Sequence, residues 1–302
     1  MGPVPMTFCN GDCPHDAGTV LAVAILLSLL SAAAFGTGDF FGGLSAKKTS
    51  ALNVIAFAHA VGLIGITFLS FRVTATISGD AILIGAVAGI FGLIGLFYLY
   101  RGLSTGVMAV VAPLTAITSA LVPALWGLLG GESLSVLAWL GVLVALVAIG
   151  FCSLPSNVGE VQATVTPQIV FESLLAGAGF GAFFILFDLA PDDVGTWPVV
   201  GARLVTAVPL VPFILLRRPS DLPAIRAAAG TIIATGVFDT LANALFLVAT
   251  TLGDLTIIAV LSSLYPVSTV ILANRVLKEK ISSLQFAGLV LALAATVLIA
   301  AG

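Results

Sequence analysis

The sequence predicts an all-α integral membrane protein of about ten transmembrane helices, arranged as two inverted five-helix repeats. Three observations carry this prediction. Charged residues are only 8% of the 302, against roughly 25% in a soluble domain. Apolar runs of spanning length recur along nearly the whole chain. The two halves also align with each other at a constant offset of 147 positions.

Composition comes first because it excludes most alternatives. With 60% of residues in the AVILMFWYC set, too few polar side chains remain to cover a water-soluble surface. Lipid removes that requirement. The net charge of −3 offers nothing to nucleic acid, so no nucleic-acid partner is expected. The three cysteines are too few for a disulfide framework. Cys9 and Cys13, with His15 and Asp16 nearby, lie in a polar N-terminal tail over residues 1–17. They lack a fourth ligand for zinc, and no metal site is expected. No Lys or Arg precedes the first apolar stretch, which reads as a retained span rather than a cleaved leader.

The predicted spans follow in order. Run one covers Thr19 to Leu44 and stops at Lys47-Lys48, and runs two and three cover Ala51 to Phe71 and Ala81 to Tyr100. Run four covers Gly106 to Leu129, ended by Gly130-Gly131-Glu132, and run five covers Leu134 to Leu154. The longest polar connection, residues 155–168, separates the halves 18–154 and 169–302. Run six covers Ile169 to Leu189, and run seven covers Trp197 to Leu216 before Arg217-Arg218-Pro219. Runs eight, nine and ten cover Ala227 to Thr250, Leu255 to Leu277 and Leu284 to Ala300. The short alternating segments of a transmembrane barrel are absent.

At the offset of 147, Gly89-Ile90-Phe91 meets Gly236-Val237-Phe238, Gly106 meets Gly253, Glu132 meets Glu279 and Gly141 meets Gly288. An odd number of spans per half makes the second half enter the membrane from the opposite side, which is the inverted-repeat arrangement of many transporters. Charge agrees. Lys47, Lys48, Arg217, Arg218, Arg226, Lys278 and Lys280 fall on one side and Arg72 on the other, which puts both termini outside the cytoplasm.

Several stretches resemble the EamA-type family of the drug/metabolite transporter superfamily. They are Tyr98-Leu99-Tyr100-Arg101-Gly102-Leu103 running into Val111-Ala112-Pro113, Gly131-Glu132-Ser133-Leu134, Leu277-Lys278-Glu279-Lys280-Ile281 and Ala287-Gly288. Gly36-Thr37-Gly38-Asp39-Phe40 is similar to the first-helix pattern of some members. The second half departs from the first at Leu277-Lys278, where the first has Gly-Gly before its Glu. The resemblance implies a secondary transporter of small metabolites or drug-like solutes in the plasma membrane, with export the favoured direction and ion coupling open. It also implies a small-molecule solute as partner, with a homodimer as a further expectation. A non-transporting membrane scaffold is the alternative.

Ionisable groups inside spans cost roughly 2.5–3.5 kcal/mol each on insertion scales, so each needs a reason. Asp39 is flanked by Gly36, Gly38, Gly42 and Gly43, and either faces a solute or pairs with Lys47 or Lys48. His59 is either a ligand group or a buried packing residue. Asp239 and Asn243 share a helix face at i, i+4, and Arg203 either joins them at a cavity or forms a structural ion pair with Asp239. Glu172 reads as an interfacial residue near a helix N-terminus. Tyr98 and Tyr265 complete the pathway candidates, and Pro113 and Pro266 are hinge candidates. No GxxxxGK[ST], HExxH or GxSxG motif occurs, so neither ATP hydrolysis nor another catalytic activity is expected, and no cofactor is implied.

Overall fold

The computed structural model describes residues 17–73, 77–104, 108–154, 166–278 and 281–302, and among them all regular structure is helical. The N-terminal tail with Cys9, Cys13, His15 and Asp16, and the Glu279-Lys280 pair, lie outside the described residues. Among the described residues eight apolar helical segments, with Leu255–Val276 counted as one, are long enough to cross a membrane, and two further apolar stretches, Leu114–Leu129 and Val136–Cys152, are shorter.

In chain order the first half comprises α1 (Ala17–Ala46), α2 (Ala51–Val73), α3 (Gly79–Ser104), α4 (Met108–Leu129) and α5 (Val136–Cys152). The second comprises α6 (Pro167–Asp188), α7 (Trp197–Arg217), the short α8 (Leu222–Ala227), α9 (Ala229–Thr250), α10 (Leu255–Ser262), α11 (Tyr265–Val276) and α12 (Ser283–Ala301). The helix limits follow local chemistry. Ser135, Thr166 and Ser282 accept the backbone N–H three residues on as N-caps, and Ser282 forms a full capping box with Gln285.

The predicted run nine is not one helix. It breaks into α10 and α11 at Ser263-Leu264 because Pro266 has no N–H for the carbonyl of Ser262, four residues before it. The chain tightens there instead: the Leu264 amide donates to the Leu261 carbonyl, and the Val267 amide to that of Leu264. An eight-residue α10 rises only about 12 Å, so the break falls near the middle of a core about 30 Å thick. Run eight is likewise preceded by a separate turn, α8, ending at Ala227.

Packing is between halves more than within them. The main contacts are α1 with α9, α3 with α6 and α7, α4 with α6 and α10, α2 with α7 and α9, and α5 with α12. Small residues make these approaches close, as membrane helices require. A Cβ added to Gly85 would collide with the Pro198 carbonyl of α7, and one on Gly36 with Ser268 and the Tyr265 carbonyl of α11. Large apolar side chains such as Ile64, Phe68, Leu83, Leu293 and Val297 point outward, where lipid is their solvent.

Contacts at the helix ends define two faces. Ser45 with Thr231, Asn53 with Asp221, and Gln285 with the Leu154 carbonyl mark one face. Ser70 with Thr196, and Glu132 with the amides of Leu255 and Thr256, mark the other. Lys47, Lys48, Arg101, Arg217, Arg218, Arg226, Arg275 and Lys278 belong to helix ends at the first, basic face, whereas Arg72 ends α2 at the second.

Candidate functional site

Four helices from both halves bring charged groups together at the centre of the bundle. Arg203 on α7 is 2% exposed, and its three guanidinium nitrogens are all engaged. Its Nη2 donates to Asp239 Oδ2 at 2.6 Å, its Nε to Thr240 Oγ1 at 3.2 Å, and its Nη1 to His59 Nε2 at 3.0 Å. A guanidinium only donates, so His59 Nε2 is the acceptor and carries no proton in this arrangement. The ring proton therefore resides on Nδ1, which donates to Thr206 Oγ1 at 2.7 Å. The Thr206 hydroxyl in turn donates to its own helix, within reach of the Ala202 and Arg203 carbonyls. Arg203 and Asp239 thus form an ion pair and His59 is buried and hydrogen-bonded, while all three also line a cavity.

Asp239 and Asn243 lie one turn apart on α9, as their spacing predicts. The Asn243 amide nitrogen donates to the Asp239 carbonyl at 2.7 Å and to Asp239 Oδ1 at 3.2 Å. His59 Nε2 is also 3.5 Å from Asp239 Oδ2, so imidazole, guanidinium and carboxylate form one cluster. A cavity adjoins it, leaving about 30 Å³ for the centre of a water molecule and walled by Phe35, Phe180, Phe183, Phe184 and the polar groups His59, Arg203, Asp239 and Asn243.

Asp39 does not pair with Lys47 or Lys48, which are exposed beyond the end of the span. Among the described residues its carboxyl makes no hydrogen bond or ion pair. It lies within electrostatic reach of Asp239, Tyr100 and Tyr265. Gly38, beside it, lets α1 approach the backbone of Asp239.

The other predicted residues are dispersed. Tyr98 lies apart from the cluster, in a vestibule at the basic face that it lines with Arg101, Gln168 and Glu172. Glu172 pairs there with Arg101 at 3.3 Å. Tyr265 is the first residue of α11, buried, directly after the helix break, and among the described residues its hydroxyl has no hydrogen-bond partner. Pro266 follows it and causes the break. Pro113 falls within α4, but its side chain lies outside the described residues.

Sequence reasoning missed Tyr100, Thr206, Thr240 and the phenylalanine wall. Tyr100 reads as a belt residue near a span end, yet it is buried beside Gly42 on α1. Thr206 had a signal: it lies 147 positions after His59, the offset of the internal repeat. Among the described residues no group of three or more His, Cys, Asp or Glu is placed to hold a metal ion.

Residues 169–301 match the model of the EamA-like transporter family. A solved structure described as "Crystal structure of protein" superposes with a TM-score of 0.69 at 18% identity, covering 92% of this chain and 97% of that one. At that identity the likeness is one of fold. No curated protein matches the chain significantly. The apolar helices make this a multi-pass membrane protein, and the match of residues 169–301 to the EamA-like transporter family supports one of transporter type, consistent with the drug/metabolite transporter superfamily.

Proposed function

We propose that this protein is a secondary transporter that moves a small solute across the plasma membrane by alternating access, with export the favoured direction. The observation that carries the proposal is the buried Arg203–Asp239–His59 cluster, formed by both halves beside a cavity and lying inside the apolar spans α2, α7 and α9. Charge at that depth is expensive, and transport proteins retain it where a solute or ion must be met.

The reading includes two inverted five-helix repeats over 18–154 and 169–302, counting α10 and α11 as one interrupted span. Its support is the pairing of helices. Exchanging the halves turns the α1–α9 contact into α3–α6, and the α2–α9 contact into α3–α7, while α2–α7 and α5–α12 map onto themselves. Backbone geometry agrees: Gly131 has φ 95° and Lys278, 147 residues later, φ 61°. A side chain at left-handed φ is costly outside glycine, so its retention at Lys278 favours a shared turn. His59 and Thr206, also 147 apart, hydrogen-bond to each other. The basic face would be cytoplasmic under the positive-inside rule. Rocking of one half on the other, with α5 and α12 at the side as a pair or a dimer contact, would open the cavity to each face in turn.

The test is solute flux into liposomes carrying the purified protein, with a panel of amino acids, sugars and organic cations inside or outside. Saturable uptake of one class, lost in Asp239→Asn, is expected. Absence of flux across the whole panel, with protein that is folded and inserted, overturns the proposal in favour of a scaffold.

A further inference from the structure

We infer that the cavity beside Arg203 and Asp239 takes the primary ammonium head of a small organic cation, with Asn243 Oδ1 as its acceptor. This names the substrate class of the transport site and rests on that reading. The orientation of Asn243 is forced. Both groups its amide nitrogen meets, the Asp239 carbonyl and Asp239 Oδ1, are acceptors, so the NH2 must face them. Its Oδ1 is then left buried with no donor among the described residues, on a residue 2% exposed that lines the cavity. A buried unsatisfied acceptor costs stability unless a ligand or water supplies the donor.

Charge decides between those two. Arg203 and Asp239 balance each other, and His59 is neutral while its Nε2 accepts from Arg203. Asp39 is left over. It lies one turn beyond Phe35 on the same face of α1, toward the end of the helix at the basic face, and Phe35 lines the cavity. Water would satisfy Asn243 alone, whereas an ammonium supplies that donor and also the counter-ion with which the Asp39 carboxyl, unpaired among the described residues, can ionise. An anion is disfavoured, because Asp239 already balances the Arg203 charge and its carboxylate would repel a second negative group beside it.

Size and walls narrow the class further. A space of about 30 Å³ for a water centre admits one or two water-sized groups, hence an –NH3+ head but no quaternary ammonium. Phe180, Phe183 and Phe184 line the cavity with aromatic rings, the side chains that attract a cation. The rest of the solute requires the helices to part.

The experiment measures thermal unfolding of the detergent-solubilised full chain with benzylammonium, benzyltrimethylammonium, benzyl alcohol and benzoate. Benzylammonium is expected to raise the midpoint saturably and the other three to leave it unchanged. Asn243→Leu and Asp39→Asn are each expected to weaken the benzylammonium response about tenfold or more, the loss of one charge-assisted hydrogen bond. No response to benzylammonium, which would mean that the cavity holds water alone, overturns the inference. An equal response to benzyltrimethylammonium or benzyl alcohol also overturns it, as does an unchanged response in the variants. The ligand series on the unaltered chain decides even if a variant fails to fold. Flux of neutral or anionic solutes without ammonium binding would overturn this inference alone, whereas ammonium binding with no flux of any solute would overturn the transport reading alone.

Discussion

Arg203 is held from three sides at once, so its loss acts mainly through what it leaves behind. Arg203→Leu strands the Asp239 carboxylate in a buried site, which costs about 3–5 kcal/mol. The double variant Arg203→Leu/Asp239→Asn removes the stranded charge and is expected to unfold at a higher temperature than Arg203→Leu alone. If the double variant is no more stable than the single one, the pair is not what holds the cluster together. Arg203→Lys keeps the charge but loses the fork that reaches Thr240, His59 and Asp239 separately. Sequence spacing correctly put Asp239 beside Asn243, because one turn of helix is local geometry. It left Arg203 open between cavity and ion pair, since a partner 36 residues away is chosen by packing.

At the scale of elements, α10 is anchored by a residue from the other half. Glu132 accepts the amides of Leu255 and Thr256 and the Thr256 hydroxyl, so a carboxylate lies against the positive end of the half-helix. Removing it in Glu132→Ala is expected to cost about 1–2 kcal/mol, read by thermal unfolding in detergent. Asp254, the residue before α10, has its carboxyl pushed above the ordinary range by partial loss of hydration and by the charge of Glu132. The sign follows. A raised folded-state value means that Asp254 favours folding while protonated and opposes it once pH rises above that value. Asp254→Asn should therefore raise the unfolding temperature at neutral pH and give no gain in acid. A gain equal at both pH values would contradict the repulsion. The α3–α7 contact is a second element-scale test. Gly85→Leu has no room against Pro198 and is expected to destabilise by about 1–3 kcal/mol or more.

For the whole molecule, the distribution of charge makes a topological prediction. The basic face carries Lys47, Lys48, Arg217, Arg218 and Arg226, and both the start of α1 and the end of α12 lie at the other face. A C-terminal alkaline phosphatase fusion is expected to be active and a C-terminal fluorescent protein that matures only in the cytoplasm to stay dark. The reverse pattern would invert the assignment of faces. The family match over residues 169–301 and the fold likeness over most of the chain fit this architecture, while neither names a solute.

Membrane insertion, the helical class and most helix limits were legible in the residues, because lipid demands long apolar stretches with every backbone group bonded internally. Run nine was legible as a span with Pro266 as a hinge candidate, but not as two helices, because a proline is often absorbed in a helix, as Pro209 and Pro212 are in α7. Whether it breaks one depends on what surrounds the freed carbonyl. The cluster of His59, Arg203, Asp239 and Thr206 became visible only once α2, α7 and α9 were packed together. Apolar sequence constrains which segments enter the bilayer and says little about which helix faces meet, since in lipid small residues and polar contacts between helices, rather than hydrophobic burial, select the partners.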